Sequence, residues 1–296
     1  MTGASGLIGR ALVPHLRAAG HEVIRLVRRP AAATDERAWE PGRDLDPAVL
    51  AGVEAVVNLS GANLAERRWT EERKRQLRDS RLEPTRVLAR AIAGMAAPPR
   101  VLVSSSAVGY YGDRGREALT EQSPPGEGFL ARLCVEWEQA TEPAEAAGIR
   151  VVHTRSGIVL SAAGGALAMM LTPFKAGVGG ILGPGSQYMS WIAMDDLLAA
   201  VTRVLTDESL RGAVNTVAPS PVTNRQFTHA LGRVLRRPTV VPVPAFALRL
   251  RFGEMADEAL LASTRAMPHR LAQAGFGFRS PELEPALRRA LARPPV

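Results

Sequence analysis

Thr2-Gly3-Ala4-Ser5-Gly6-Leu7-Ile8-Gly9 sets glycines at the spacing G-x-x-G-x-x-G and runs straight into a helical pattern. Each glycine has a mechanical task in holding a dinucleotide. Gly3 permits a tight turn, Gly6 lets the backbone approach a pyrophosphate, and Gly9 allows close helix packing, with the anion resting on the helix N-terminus. Thr2, Gly3, Ser5, Gly6, Leu7 and Ile8 are thus the candidate pyrophosphate-side residues. A bare glycine pattern also fits an ordinary turn, but here a helix, a strand and a basic strand end follow it. That strand closes on Val27-Arg28-Arg29-Pro30. Arginine at this place accommodates a 2′-phosphate where an acidic residue would bind ribose hydroxyls. With no Asp or Glu at the strand end, Arg28 and Arg29 point to NADP(H) through charge and bidentate geometry. A merely solvated basic strand end is the alternative.

The elements that must position this loop alternate. Residues 7–19 have one apolar helical face and stop at Gly20; 22–27 are strand-like, and a short extended piece surrounds Trp39. Ala55-Val56-Val57-Asn58-Leu59 is a buried strand. A long helix over 70–96 follows, with Thr70 as N-cap and Glu71 and Glu72 in its positive first turn. Strands at 100–104 and 150–154 bracket a helix over 129–147. The expected class is a doubly wound α/β fold with a parallel sheet. Past Gly157 the sequence turns glycine-rich, with a loop over 177–183 expected to be mobile and near a substrate pocket. A helix over 195–205 and a helical C-terminal section complete the chain.

One feature resists this fold. A sheet of this kind has its first strand immediately before the glycine loop, and only Met1 and Thr2 precede Gly3. The first strand is expected to be missing, leaving backbone groups of its neighbours without partners. The corresponding expectation is a natural start several residues upstream, which an intact mass would test.

Composition narrows the partners. The formal charge of +8 comes from scattered arginines, since only Lys74 and Lys175 of the 37 basic residues are lysine. Dispersed charge makes no phosphate-tracking stripe, so no nucleic-acid partner is expected. Cys134 is the only cysteine, which excludes an internal disulfide and any multi-cysteine metal site. His21, His153, His229 and His269 are too dispersed for a readable metal site. No apolar run spans a bilayer, so no membrane is expected and a reducing cytoplasm is the expected setting.

With Val101-Leu102-Val103-Ser104-Ser105-Ser106, these motifs resemble the extended short-chain dehydrogenase/reductase superfamily. Asn58-Leu59-Ser60-Gly61-Ala62-Asn63, Arg68-Trp69, Ser80-Arg81, Ala107-Val108-Gly109-Tyr110-Tyr111-Gly112 and Met189-Ser190-Trp191-Ile192 narrow the likeness to its atypical epimerase-like oxidoreductase family. Ala274-Gly275-Phe276-Gly277-Phe278 and Pro281-Glu282-Leu283-Glu284 are similar to that family's C-terminal domain of unknown function. The resemblance implies an NAD(P)-binding Rossmann-like domain over 1–157, with likeness continuing to about 213. A smaller, mostly helical substrate-side region would follow over 158–296, holding the C-terminal domain at about 240–292.

By the same resemblance Leu59, Ser60, Gly61 and Ala62 line the nicotinamide-side ribose, Arg81 faces the cofactor from the long helix, and Ser106 stands at the catalytic Ser/Thr position. The superfamily's catalytic tyrosine and lysine, four residues apart, are replaced by Leu130 and Cys134, counting back from Glu138. Neither can exchange a proton in their place. Tyr110 and Tyr111 could supply a phenol from another direction or simply wall the pocket. Arg155 could contact the cofactor side, meeting a substrate carbonyl or carboxylate, or pair with Asp195 or Asp196. The reading is an NADP(H)-binding, epimerase-like oxidoreductase for a carbonyl or nucleotide-sugar-like small molecule. A homodimer through the two long helices is implied by the superfamily. A non-catalytic NADP(H)-binding redox sensor is the alternative.

Overall fold

The computed structural model describes residues 1–292. After the glycine loop come α1 (Leu7–Ala18), β1 (Arg25–Val27), β2 (Glu36–Ala38), β3 (Ala55–Asn58), α2 (Glu71–Ala93), β4 (Val101–Ala107) and β5 (Ala118–Leu119). The expected 129–147 helix is two, α3 (Phe129–Gln139) and α4 (Glu142–Ala146). Pro143 stands in the first turn of α4, where its missing N–H costs nothing; inside one continuous helix it would break the ladder. Then follow β6 (Arg150–Ser156), β7 (Ile158–Leu160), α5 (Gly165–Lys175), β8 (Tyr188–Met189), β9 (Trp191–Ala193), α6 (Met194–Thr206) and β10 (Gly212–Thr216). The C-terminal part holds β11 (Val222–Thr223), α7 (Asn224–Leu235), α8 (Ala245–Phe252), β12 (Arg265–Ala266), α9 (His269–Gln273) and α10 (Leu283–Ala292).

The main sheet is parallel in the order β10-β6-β4-β3. No strand element precedes α1, yet the place of the first strand is held. Thr2 bridges Asn58 in parallel and donates its N–H to Val57 O at 3.0 Å, while Leu26 N–H donates to Met1 O at 2.8 Å. Met1 and Thr2 therefore join β3 to the β1-β2 pair, and the expected gap is bridged by two residues. Side chains along β4 alternate between the two faces, as strand geometry requires. Val101 and Val103 enter the layer with Leu12, Leu16, Leu197 and Val201 of α1 and α6. Leu102 enters the opposite layer with Leu88, Ile92 and Ala144 of α2 and α4. The α/β class and helical C-terminal region are as the sequence indicates.

Beyond β6 the chain turns at Gly157, where a Cβ would stand 2.5 Å from Ser190 O. There β7 and β9 pair, and α5, α7 and α10 enclose a further core around Trp191, Phe227 and Leu287. The glycine-rich 177–183 segment is held at its C-terminal end. Leu182 N–H donates to Asn224 Oδ1, and Ile181 and Gly183 exchange backbone bonds with Val243. No helix among the described residues is long and apolar enough to cross a membrane.

Candidate functional site

The C-terminal ends of the central strands converge on the glycine loop. Gly3 has φ +64°, and a Cβ there would lie 2.5 Å from Leu59 O, so both conformation and space demand glycine. A Cβ on Gly9 would lie 2.2 Å from Gly3 O, which is the close packing of helix on loop. A Cβ on Gly6 would meet only Gly3 O within 4 Å, at 3.3 Å, and otherwise open space. That open side fits a pyrophosphate. No side chain caps α1 and no acidic residue lies in its first turn, so the helix offers its positive end to an anion. Ser5 and Gly6 are exposed, Leu7 and Ile8 half-buried.

The two arginines after β1 divide their tasks. Arg29 donates in bidentate fashion to Glu36, at 2.8 and 2.7 Å. Glu36 is buried at the start of β2, opposite Arg25 in the parallel register, and its carboxyl is held below the usual range by Arg29 first and by the Ala32 N–H. The expectation of no acidic group at this strand end is thus corrected: one arrives from the next strand. Arg28 is exposed and makes no hydrogen bond or ion pair among the described residues. It is the unengaged cation at this strand end.

Under the 59–62 segment lies a buried polar frame. Asn58 accepts from Thr2 Oγ1 at 2.7 Å and donates to Thr85 Oγ1 at 2.8 Å; Thr85 Oγ1 also accepts from Trp137 Nε1 at 3.0 Å. Ser60 N–H returns to Asn58 Oδ1. Arg81 supports the loop from beneath. Its guanidinium donates to Leu77 O and Ala62 O and lies over the Trp137 ring, while a Cβ on Gly61 would stand 3.2 Å from its Cζ. Burial without a carboxylate lowers the Arg81 pKa to about 10.

Ser106, at the end of β4, donates to Glu138 Oε1 at 2.6 Å. Arg155 of β6 grips the same carboxylate through Nε and Nη2, both at 2.8 Å. The alternative pairing with Asp196 is not formed, since Asp196 instead accepts the Arg279 and Ser280 N–H groups. Arg155 also donates to Tyr111 Oη at 3.1 Å, and its Cζ lies 3.4 Å from the centre of the Tyr110 ring. Burial alone would lower the Arg155 pKa, but the bonds and charge of Glu138 outweigh it and raise the value. Tyr111 is fully buried and donates to Asn215 Oδ1 at 2.7 Å. Burial pushes its phenol up, against Arg155. Tyr110 is only partly buried and is the more open phenol.

Leu130 and Cys134 pack beneath Gly109, whose Cβ would lie 3.4 Å from Leu130 Cβ and 4.0 Å from Cys134 Sγ. Burial first, and then the charge of Glu138, pushes the thiol up to about 12. In the native protein Cys134 will therefore stay unalkylated by iodoacetamide at mildly alkaline pH and react once urea unfolds the chain. Native labelling at the rate of a free thiol would contradict this environment.

The structure brings the glycine loop to the 59–62 segment, and Ser106 and Tyr110 to Arg155, and it adds Glu138, Asn215 and Glu36. Glu138 had a signal, its place one helical turn beyond Cys134 on the same face of α3. Glu36 and Asn215 had none, because strand pairing delivers them.

A model described as the NAD dependent epimerase/dehydratase family matches residues 1–216. The chain belongs to that family. A second model, a domain of unknown function, matches residues 243–290, so the two-part resemblance read from the motifs holds. An epimerase family protein of Mycobacterium tuberculosis is 48% identical over 295 residues, covering 99% of this chain and 97% of its own length. The solved structure of the human epimerase family protein SDR39U1 with NADPH is 34% identical with a TM-score of 0.89, covering 99% of this chain and 98% of that one. A nucleoside-diphosphate sugar epimerase of Corynebacterium glutamicum is 36% identical with a TM-score of 0.80, over 98% of this chain and 57% of that one.

Proposed function

We propose that the protein is an NADP(H)-dependent oxidoreductase of the epimerase-like kind, acting on a small carbonyl or nucleotide-sugar-like molecule. The observation that carries the chemistry is the Ser106 hydroxyl, bonded to a carboxylate that Arg155 holds in place. Gly3, Gly6 and the N-terminus of α1 would hold the pyrophosphate, and Arg28 the 2′-phosphate. When bound, the nicotinamide supplies hydride transfer. In the oxidising direction the substrate hydroxyl would give its proton to the Ser106 oxygen while Ser106 passes its own to Glu138; in the reducing direction the same relay would run backwards and deliver the proton to the carbonyl oxygen. Tyr110, under the Arg155 guanidinium, bounds the pocket and is the available phenol. The NADPH of the human relative and the sugar-nucleotide epimerase among the relatives support both halves of this reading.

A second reading, a non-catalytic NADP(H) sensor, draws on Leu130 and Cys134 at the usual catalytic pair and on the engagement of the Tyr111 phenol with Asn215. NADPH oxidation followed by absorbance across carbonyl and sugar-nucleotide panels separates the two. Turnover that falls roughly 100-fold in Ser106→Ala, with NADPH affinity unchanged, is the expected result. NADPH binding without oxidation on any substrate would favour the sensor. A homodimer in the cytoplasm belongs to the same proposal, and light scattering tests the assembly.

A further inference from the structure

The large apolar side chains left open to solvent among the described residues fall in two stretches of the chain: Met169 and Val178 in the first, Val240, Val241, Phe246 and Leu250 in the second. Phe246 and Leu250, 71% and 77% exposed, lie one turn apart on α8, whose Leu248 is buried. The 178–183 segment runs alongside 240–243. Leu182 bridges Val243 in parallel, Val243 N–H donates to Ile181 O, and Gly180 abuts Val241 O. Val178, Val240 and Val241 therefore extend the ridge begun by α8. Exposed apolar side chains gathered on adjoining segments in this way mark an interaction surface.

Where the ridge ends, a basic depression of 390 Å³ begins, lined by His229, Arg233, Arg236, Arg237 and Thr239. Arg233 is taken by Glu284, but the Arg236 and Arg237 side chains make no hydrogen bond or ion pair among the described residues. Arg236 is left-handed, φ 54°, and turns the chain at the end of α7 so that Arg237 and Thr239 fold back beside His229. Thr239 is followed directly by Val240, 80% exposed. Unpaired cations thus sit beside protruding aliphatic and aromatic side chains.

We propose that this surface docks the protein on an anionic phospholipid membrane, with headgroup phosphate in the Arg236–Arg237 depression and Val240, Phe246 and Leu250 among the acyl chains. The charge decides the occupant. A second copy meeting the same face would oppose unpaired arginines to unpaired arginines, whereas acidic headgroups complement them. Protruding apolar residues rimmed by arginine suit an interface several ångströms deep. No spanning helix is needed for this mode, and it does not depend on the catalytic reading.

The test is co-sedimentation of the full chain with phosphatidylcholine vesicles, with and without phosphatidylglycerol. Partitioning on the anionic vesicles should be roughly tenfold tighter or more. The pair Phe246→Ser and Leu250→Ser should weaken it by roughly tenfold or more, with circular dichroism and NADPH affinity unchanged. The buried thiol of Cys134 leaves Val240→Cys as a single labelling site, and an environment-sensitive dye there should shift to the blue on anionic vesicles but not on polyglutamate. Failure to sediment with either vesicle overturns the proposal, as does full binding by the serine pair. So does an equal response to polyglutamate, which would indicate an acidic protein partner. A dimer dispersed by the serine pair, without vesicle binding, would identify a second copy as the occupant.

Discussion

Glu138→Ala will cost the fold about 3–5 kcal/mol, measured by urea unfolding, because it strands the Arg155 guanidinium inside the protein. Arg155 is 4% exposed and holds two of its bonds to this carboxylate. Ser106 loses its acceptor at the same time. Glu138→Gln keeps oxygen acceptors in place and should cost less, and the pair Glu138→Leu with Arg155→Met should recover part of the loss by removing both buried charges together. A Glu138→Ala penalty under about 1 kcal/mol, within the range of exposed ion pairs, would refute the account of the cluster.

Arg28→Glu will raise the NADPH dissociation constant roughly 100-fold and leave that for NADH nearly unchanged, read by fluorescence titration. The expectation rests on the division of labour at the end of β1. Arg28 is unengaged, while Arg29 is bound to buried Glu36. Arg29→Ala should therefore act more on stability than on the NADPH/NADH ratio. The pH response has a definite sign. The folded-state pKa of Glu36 is depressed, so its contribution is full above the ordinary glutamate range and is lost as pH falls through the lowered value. Equal losses of NADPH and NADH binding in Arg28→Glu would show that this arginine does not read the 2′-phosphate.

Much of the nucleotide half was legible before any coordinates. The glycines of the loop are required by local sterics, and the positive φ of Gly3 and the clash awaiting a Cβ on Gly9 are those requirements made visible. The valines of β3, β4 and β6 spelled out buried parallel strands in the same way. The half around Ser106 was less legible. Ser106, Glu138 and Arg155 lie on three different elements, the first two 32 positions apart and the last two 17. Spacing along the chain carries no information on such a meeting. Tyr110 and Tyr111, neighbours in sequence, part company in space: one lies against Arg155, the other is sealed beneath it.

By itself, then, the sequence determined what depends on neighbours a few residues apart: the dinucleotide loop, the order of strands and helices, the basic strand end, and the loss of the usual tyrosine and lysine. Tertiary structure decided which charges remain available. Parallel pairing of β1 with β2 brings Glu36 to Arg29 and leaves Arg28 unengaged, and the packing of α3 against β4 and β6 commits Arg155 to Glu138. The physical reason is that burying a charge requires a partner, and the identity of that partner is settled by packing between elements distant in the chain.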